Sequence, residues 1–475
     1  MTVQTVILLA AGEGTRMKSA TPKVLHSVAG RSLLGHVLNA VSHLNPAEVR
    51  IVVGSGREAV EAHISQIAPN ATTVVQEQRN GTGHATQLAL AGNAPRGTVL
   101  ILAGDTPMLT GDSLAQFVQA HAVGNFAASV LTAEHPEPTG YGRIIRGDDA
   151  SLLRIVEERD ADEIQREIIE VNSGVYAFDA AKLVSAIGKL KNDNSQGELY
   201  LTDVLEILLN DGGSIAAVLI EDFIEILGVN DRSQLAESAA LLRDLINEDL
   251  MKSGVTIVDP LTTWIDSTAQ VASDVTLLPG TWIAGKSTIA SGAVIGPRTT
   301  LLDCTVASGA HVIESHCTGA VIGKEAKVGP FTYLRPGTDL GASSKAGAFV
   351  EMKNANLGVN AKVPHLSYVG DATIGEGTNI GAATVFVNYD GQEKHHTQVG
   401  SHVRIGSDTM LVAPLVIGDG AYTAAGSVIT EDVPAGSMAV GRARQRNIVD
   451  WVLRRRPGSD SAKAALADSS HKNSK

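Results

Sequence analysis

From about Gly254 to Val440 the chain sets aliphatic residues close to six positions apart, with glycine, serine, alanine and aspartate between them. In AQVASDVTLLPGTWIAGKSTIASGAVIGPRTTLLDC the marks fall at Val271, Val275, Trp282–Ile283, Ile289, Val294–Ile295 and Leu301. The rhythm returns in ATIGEGTNIGAATVFV and VRIGSDTMLVAPLVIGDGAYTAAGSVIT. Hexapeptide periodicity predicts a parallel β-helix, each unit giving one short strand and one corner. The aliphatic residue points inward and the small residues permit the turns. With 48 glycines and only 4% aromatic residues, the composition suits such tight turning. The period leaves handedness open. Stacked coils are quasi-one-dimensional, so they call for caps or partners.

Residues 1–228 follow a different pattern. VQTVILLAA, VRIVVGSG and GTVLILAGD are buried-strand runs, alternating with helix-like runs such as SLLGHVLNAVSHL. That alternation predicts a parallel sheet with helices on both faces, with ligands collecting at the carboxyl ends of its strands. Residues 229–250 carry a continuous helical pattern and predict a linker helix. The repeat region then runs over 251–457. Beyond WVLRRRPG, residues 458–475 are polar and are expected to be disordered.

A net charge of −13 opposes broad nucleic-acid binding, which needs basic surface to neutralise phosphates. Cys304 and Cys317 cannot staple so long a chain and fit a reducing compartment. No run approaches 18 apolar residues, and the N-terminal apolar run is too short for a signal peptide, so no membrane role and a cytoplasmic location are expected.

The stretch LLAAGEGTRMKSATPKVL leaves a strand and turns through Gly12 and Gly14. Glycines let backbone N–H groups approach phosphate oxygens. Arg16 and Lys23 follow at spacings that could set both beside a polyphosphate and stabilise a departing pyrophosphate. Glu13 is expected to face solvent. The pattern is not a Walker loop, and Met17 replaces the last glycine of the dinucleotide fingerprint. Asp105, closing GTVLILAGD, suits a metal ligand or a helix cap; Glu157, in the run EERD, would by itself read as surface.

LAAGEGTRM, PKVLH, QRNGTGHA, AGDTPML, GYGRI, IVEE, EVNSGVYAF and GVND stand in the order found in sugar-1-phosphate nucleotidyltransferases. With the hexapeptide half, residues 5–457 resemble the bacterial bifunctional N-acetylglucosamine-1-phosphate uridyltransferase/glucosamine-1-phosphate N-acetyltransferases. The resemblance implies a Rossmann-like nucleotidyltransferase domain followed by a left-handed parallel β-helix, assembled as a homotrimer. It implies that Leu9, Ala10, Ala11, Gly12 and Lys23 line the nucleotide, and that Gln76, Gly81 and Thr82 read the uracil edge. Asp105 and Asn230 would bind Mg2+, one or two ions per site, and Gly142, Glu157 and Asn172 would hold the sugar. Where this family more often has GVNNR, the chain has GVNDR; Asp231 is expected to start the linker helix.

Amide formation on an amino sugar needs a base for the amine proton and donors for the thioester oxyanion. PHLSYVGD interrupts the repeat with His365, a base near neutral pH, and Tyr368. Taken alone, a histidine on a coil corner reads as an exposed bystander, as do His395 and His396 in NYDGQEKHHTQ. YLRPG, VEMKN, PHLSYVGD, IGEGTNIGA, NYDG, IGSDT and AAGSVI nonetheless follow the order of the acetyltransferase half. The resemblance therefore makes His365 the general base and assigns Arg335, Lys353, Tyr368 and Asn379 to glucosamine phosphate. It assigns Ala382, Asn388, Tyr389, Ser407, Ala425 and Arg442 to acetyl-CoA, with Asn388 a candidate oxyanion donor. Lys345–Ala346 replace a histidine–valine pair frequent in the family, a local packing change. An alternative keeps only the nucleotidyltransferase active, the β-helix serving trimerisation; a non-catalytic regulatory subunit is the third reading.

Overall fold

The run TVILLA is buried along almost its whole length, as a strand covered on both faces requires. It forms β1 (Thr5–Ala10) at the heart of a mixed sheet. The structure is a computed structural model and describes residues 3–92 and 94–472. By its contacts the chain separates into two units, Met1–Gly319 and Ala320–Lys475.

In the first unit β1 is followed by α1 (Leu33–Ser42), β2 (Glu48–Val53), α2 (Arg57–Ile67), β3 (Thr72–Val75), α3 (Thr82–Leu90), β4 (Thr98–Ala103) and α4 (Gly111–Gly124). Next come β5 (Ala128–Glu134), the hairpin β6 (Arg143–Arg146) and β7 (Leu152–Val156), then β8 (Glu170–Asp179), α5 (Ala180–Ile187), α6 (Asp203–Asn210) and β9 (Ile215–Leu219). The sheet order is β9-β5-β8-β4-β1-β2-β3. β1 lies parallel to both β2 and β4, whereas β8 runs antiparallel to β4 and β5. The expected parallel sheet is thus interrupted by one reversed strand. A core of Ile7, Val52, Ile101 and Phe178 fills one face, and Leu8, Ile51, Leu100 and Phe117 fill the other.

The expected linker helix is α7 (Arg232–Lys252), capped by Asp231, whose carboxylate accepts from Gln234 N at 2.9 Å. Asn247, buried, donates to Pro260 O and Thr263 O at 3.0 and 2.9 Å, tying the helix to the first coil. That coil is also fastened to the sheet domain, Ser267 N donating to Ala29 O at 2.9 Å. Coil strands pair in parallel, Trp264 opposite Trp282 and Trp282 opposite Thr300, while Ile265, Ile283 and Leu301 point into the interior. Cys304 and Cys317 are buried there too.

The second unit continues as parallel coils of the left-handed class that hexapeptide repeats build. Its strands include β10 (Glu351–Leu357), β11 (Lys362–His365), β12 (Tyr368–Ile374), β13 (Val385–Val387) and β14 (Met410–Val412). Glu351 lies opposite Tyr368, and Tyr368 opposite Val385, 17 residues on. The next step is longer: Val385 pairs with Met410. The extra residues form the loop around NYDGQEKHH, closed by an antiparallel bridge between Tyr389 and Lys394.

The tail corrects the expectation of disorder where it is described. After α8 (Trp451–Arg455) the chain forms α9 (Asp460–Lys472). Ser459 Oγ accepts from Ala462 N at 3.2 Å, a helix cap, and the following alanines have the highest helix propensity. Residues 473–475 of that tail lie outside the described residues.

Candidate active sites

At the carboxyl end of β1 the chain turns through Gly12 and Gly14. Gly14 has φ +61°, and a Cβ there would stand 2.7 Å from Lys23 Cβ. Only glycine allows this turn to close against Lys23. The Lys23 ammonium bonds to the Asp105 carboxylate and, at 3.2 Å, to the Asn230 amide oxygen. Asp105 follows β4, and its carbonyl accepts from Val229 N at 3.0 Å, which pins the segment carrying Asn230. Helix α4 is capped by Thr110, which accepts from Ser113 N, so Asp105 is not its cap.

These groups edge a cavity of about 430 Å³. Leu9, Ala10, Ala11, Gly12, Lys23, Gln76, Gly81, Thr82, Asp105, Glu157 and Asn172 all line it. Gln76 is buried and donates to Gly81 O at 3.1 Å. Glu157 accepts from Thr202 Oγ at 3.3 Å; burial raises its carboxyl above the usual range, opposed by that hydrogen bond. Asn172 sits at a bulge of β8, where its side chain donates to Tyr176 Oη at 2.7 Å and accepts from Gly174 N at 3.0 Å. Burial raises the Tyr176 hydroxyl strongly, so it stays a neutral hydrogen-bonding group. Gly142 lies behind the lining, its carbonyl accepting from Asn172 N at 2.8 Å. Asn230 reaches the site through Lys23. Arg16 is exposed in a short turn and stands outside the lining.

Two features escaped the reading of the sequence. Arg79 lines the cavity and pairs with Glu13 at 2.5 Å, so Glu13, though exposed, is held across the loop mouth. Arg79 lies inside the quoted motif QRNGTGHA and was open to notice. Thr202 and Glu198 belong to GELYLTD, which carries no distinguishing residue pattern.

In the second unit His365 ends β11 and is exposed; its carbonyl accepts from Ser367 Oγ at 2.8 Å. Tyr368 begins β12 opposite Glu351, and Lys353 stands opposite Gly370. Arg335 donates to Glu351 at 2.9 Å, which raises its pKa. Lys394, brought in by the inserted loop, lies against Lys353 and lowers the Lys353 pKa. Lys394 was not foreseen; as part of a polar loop it carried no signal until the loop was folded. Asn388 is buried and commits one amide hydrogen to Asp371, whose other oxygen accepts from Asn354 at 2.7 Å. Burial would raise Asp371, but these donors and the two lysines hold it low.

Ala382, Ser407 and Ala425 occupy equivalent corners of successive coils. A Cβ on Gly381 would meet Ser407 N, and one on Gly406 would meet Ala425 N, both at 2.5 Å. Arg442 Cδ lies 3.9 Å from a Cβ built on Gly426. Asn379 bridges to Lys362 and Arg404 on the neighbouring coils. Tyr389 is exposed, its hydroxyl donating to Gly391 O at 2.7 Å. His395 pairs with Asp390 at 2.7 Å and His396 with Thr373 at 3.1 Å. Among the described residues there is no group of three or more His, Cys, Asp or Glu side chains arranged to hold a metal. Nor is any described helix long and apolar enough to cross a membrane.

A Rossmann-like sheet domain joined to a hexapeptide β-helix, each with a polar cluster, defines a transferase of two activities. Residues 6–175 match the family model described as a MobA-like NTP transferase domain. Over nearly its full length the chain is similar to proteins named bifunctional protein GlmU. That of Streptomyces coelicolor is 56% identical, covering 97% of this chain and 96% of its own. Those of Corynebacterium diphtheriae and Mycolicibacterium vanbaalenii are 51% and 53% identical, with 98% and 96% of this chain covered and 97% and 94% of their own. The chain belongs to this GlmU family, the bifunctional uridyltransferase/acetyltransferases.

Proposed function

We propose that the coil site of the second unit transfers acetyl from acetyl-CoA to glucosamine-1-phosphate. The sheet-domain site then joins the product to UTP, giving UDP-N-acetylglucosamine and pyrophosphate. The observation that carries this reading is the convergence of Asp105 and Asn230 on the Lys23 ammonium beside the glycine turn. Two oxygens aimed at one cation suit Mg2+, which takes a few protein oxygens and completes its shell with phosphates and water. Asp105 and Asn230 would hold one or two such ions. A bound Mg2+ would neutralise phosphate charge as the pyrophosphate departs. Lys23 and Arg16 supply positive charge to the departing pyrophosphate. Gln76, Gly81 and Thr82 read the uracil, while Glu157, Asn172 and Gly142 hold the sugar.

In the coil site His365 takes the proton of the glucosamine amine as the nitrogen attacks the thioester carbonyl. The C–N bond forms, the C–S bond breaks, and the CoA thiolate leaves and takes up the proton held by His365, becoming the thiol. Asn388, oriented by Asp371, presents its remaining amide hydrogen to the oxyanion. Arg335, Lys353, Tyr368 and Asn379 bind the sugar phosphate, with Lys394 adding a further cation. Ala382, Tyr389, Ser407, Ala425 and Arg442 contact acetyl-CoA. The functional boundaries follow the change of period, 1–228, 229–250 and 251–457, and the working form is a cytoplasmic homotrimer.

Paired assays on the full chain test the reading. His365→Ala should lower acetyl transfer by at least about a hundredfold and leave pyrophosphate release from UTP unchanged. Asp105→Ala should do the reverse. Loss of both activities in either variant, or of neither, sinks the assignment.

A further inference from the structure

Arg143, the first residue of β6, is 1% exposed, yet it carries a full charge beside a surface turn. Its guanidinium bonds to Tyr141 O, to Arg166 O at 3.4 Å and to Glu158 Oε2 at 2.8 Å. The same Glu158 oxygen accepts from Gly140 N at 3.2 Å. The pair therefore closes a ring of contacts around residues 140–143. Neither side chain lines the cavity.

The turn they hold is the one behind the proposed sugar pocket. A Cβ on Gly142 would lie 3.5 Å from Glu157 Oε2 and 3.6 Å from Asn172 Cβ. Glu157 and Glu158 are adjacent where β7 gives way to a turn, Asp160 N donating to Glu157 O at 2.9 Å; Glu157 lines the cavity while Glu158 reaches Arg143. Holding Glu158 on Arg143 and Gly140 N thus fixes the turn whose first residue, Glu157, faces the cavity. Arg143 is buried and Glu158 part-exposed, so removing the carboxylate would leave an uncompensated charge inside the fold. The pair therefore holds the turn in one geometry.

We propose that Arg143 and Glu158 are a positioning pair that sets the affinity of the sheet-domain site for the sugar phosphate, not for the nucleotide. This rests on the uridylyl-transfer reading above. It adds two residues that act through Gly142, Glu157 and Asn172 without touching substrate.

The test uses full-length Glu158→Gln, which keeps the shape and the acceptor, and Arg143→Lys, which keeps the charge but loses the planar fork. Each should raise KM for N-acetylglucosamine-1-phosphate by about tenfold, with KM for UTP within about twofold. Acetyl transfer by the same preparations should be unchanged, which a general loss of folding would not allow. An unchanged sugar KM, or equal rises in both KM values with a lowered melting temperature, overturns the proposal. Calorimetry with N-acetylglucosamine-1-phosphate separates the two readings. Wild-type protein that binds the sugar more tightly than Glu158→Gln but releases no pyrophosphate refutes uridylyl transfer and upholds the pair. Equal sugar binding by both refutes the pair.

Discussion

Gly370 shows how much a single missing side chain decides. A Cβ there would stand 2.4 Å from the Tyr368 hydroxyl and 2.7 Å from Asn388 Nδ2. The hydrogen atom of glycine is what leaves both polar groups room over residue 370. Both belong to side chains that could swing away, so the coil itself should survive the change. The expected cost is therefore to function: Gly370→Ala should lower acetyl transfer by about tenfold or more with uridylyl transfer intact. A normal acetyl-transfer rate would show that the placement of Tyr368 and Asn388 over residue 370 does not matter to the reaction. On the sheet-domain side, Gly14 makes the same point for the approach of Lys23.

At the scale of elements, the start of α6 carries an electrostatic conflict. Burial pushes the Asp203 carboxyl up to about 6, aided by the carboxylates of Glu206 and Asp160. A carboxyl whose folded pKa exceeds its unfolded value binds more protons in the fold. Its contribution is favourable at low pH and is lost as pH rises through about 6. Asp203→Asn removes the ionisation, so at pH 8 it should stabilise the fold by on the order of 1 kcal/mol after solvent screening, read as a higher melting temperature. The difference should vanish as pH falls toward 4; a gain that does not depend on pH would refute the cause. Elements of this kind were readable in outline. The six-residue period announced the coils, and Asp231 was correctly expected to begin the linker helix, because a cap signal is local. The reversal of β8 was not readable, since strand direction depends on partners distant in sequence. The same holds for the site: Lys23, Gln76 and Asp105 stood in motifs, whereas Lys394 and Thr202 gain their neighbours only through folding. In the tail, polarity argued for disorder, but alanine propensity and the Ser459 cap made a helix.

For the whole molecule, each cluster falls inside one unit: the residues assigned to uridylyl transfer in Met1–Gly319, those assigned to acetyl transfer in Ala320–Lys475. That division is why single substitutions should separate the two activities. The second unit also presents an apolar corner that one chain leaves bare. Phe331, Phe349 and Leu366 are 55%, 59% and 59% exposed, and the two phenyl rings stack with centroids 5.2 Å apart. Leu366 directly follows His365, so whatever covers this corner also borders the proposed base. A corner repeated from coil to coil fits the matching corner of a second copy better than a small ligand, since a solenoid offers the same spacing along its length. The proposed homotrimer predicts a solution mass near three times 49.4 kDa. Phe349→Glu would bury a charge in that contact, and should lower both the mass and acetyl transfer while sparing uridylyl transfer. A monomeric wild-type protein with full acetyl transfer would refute the shared corner, because the base would then work without a neighbour.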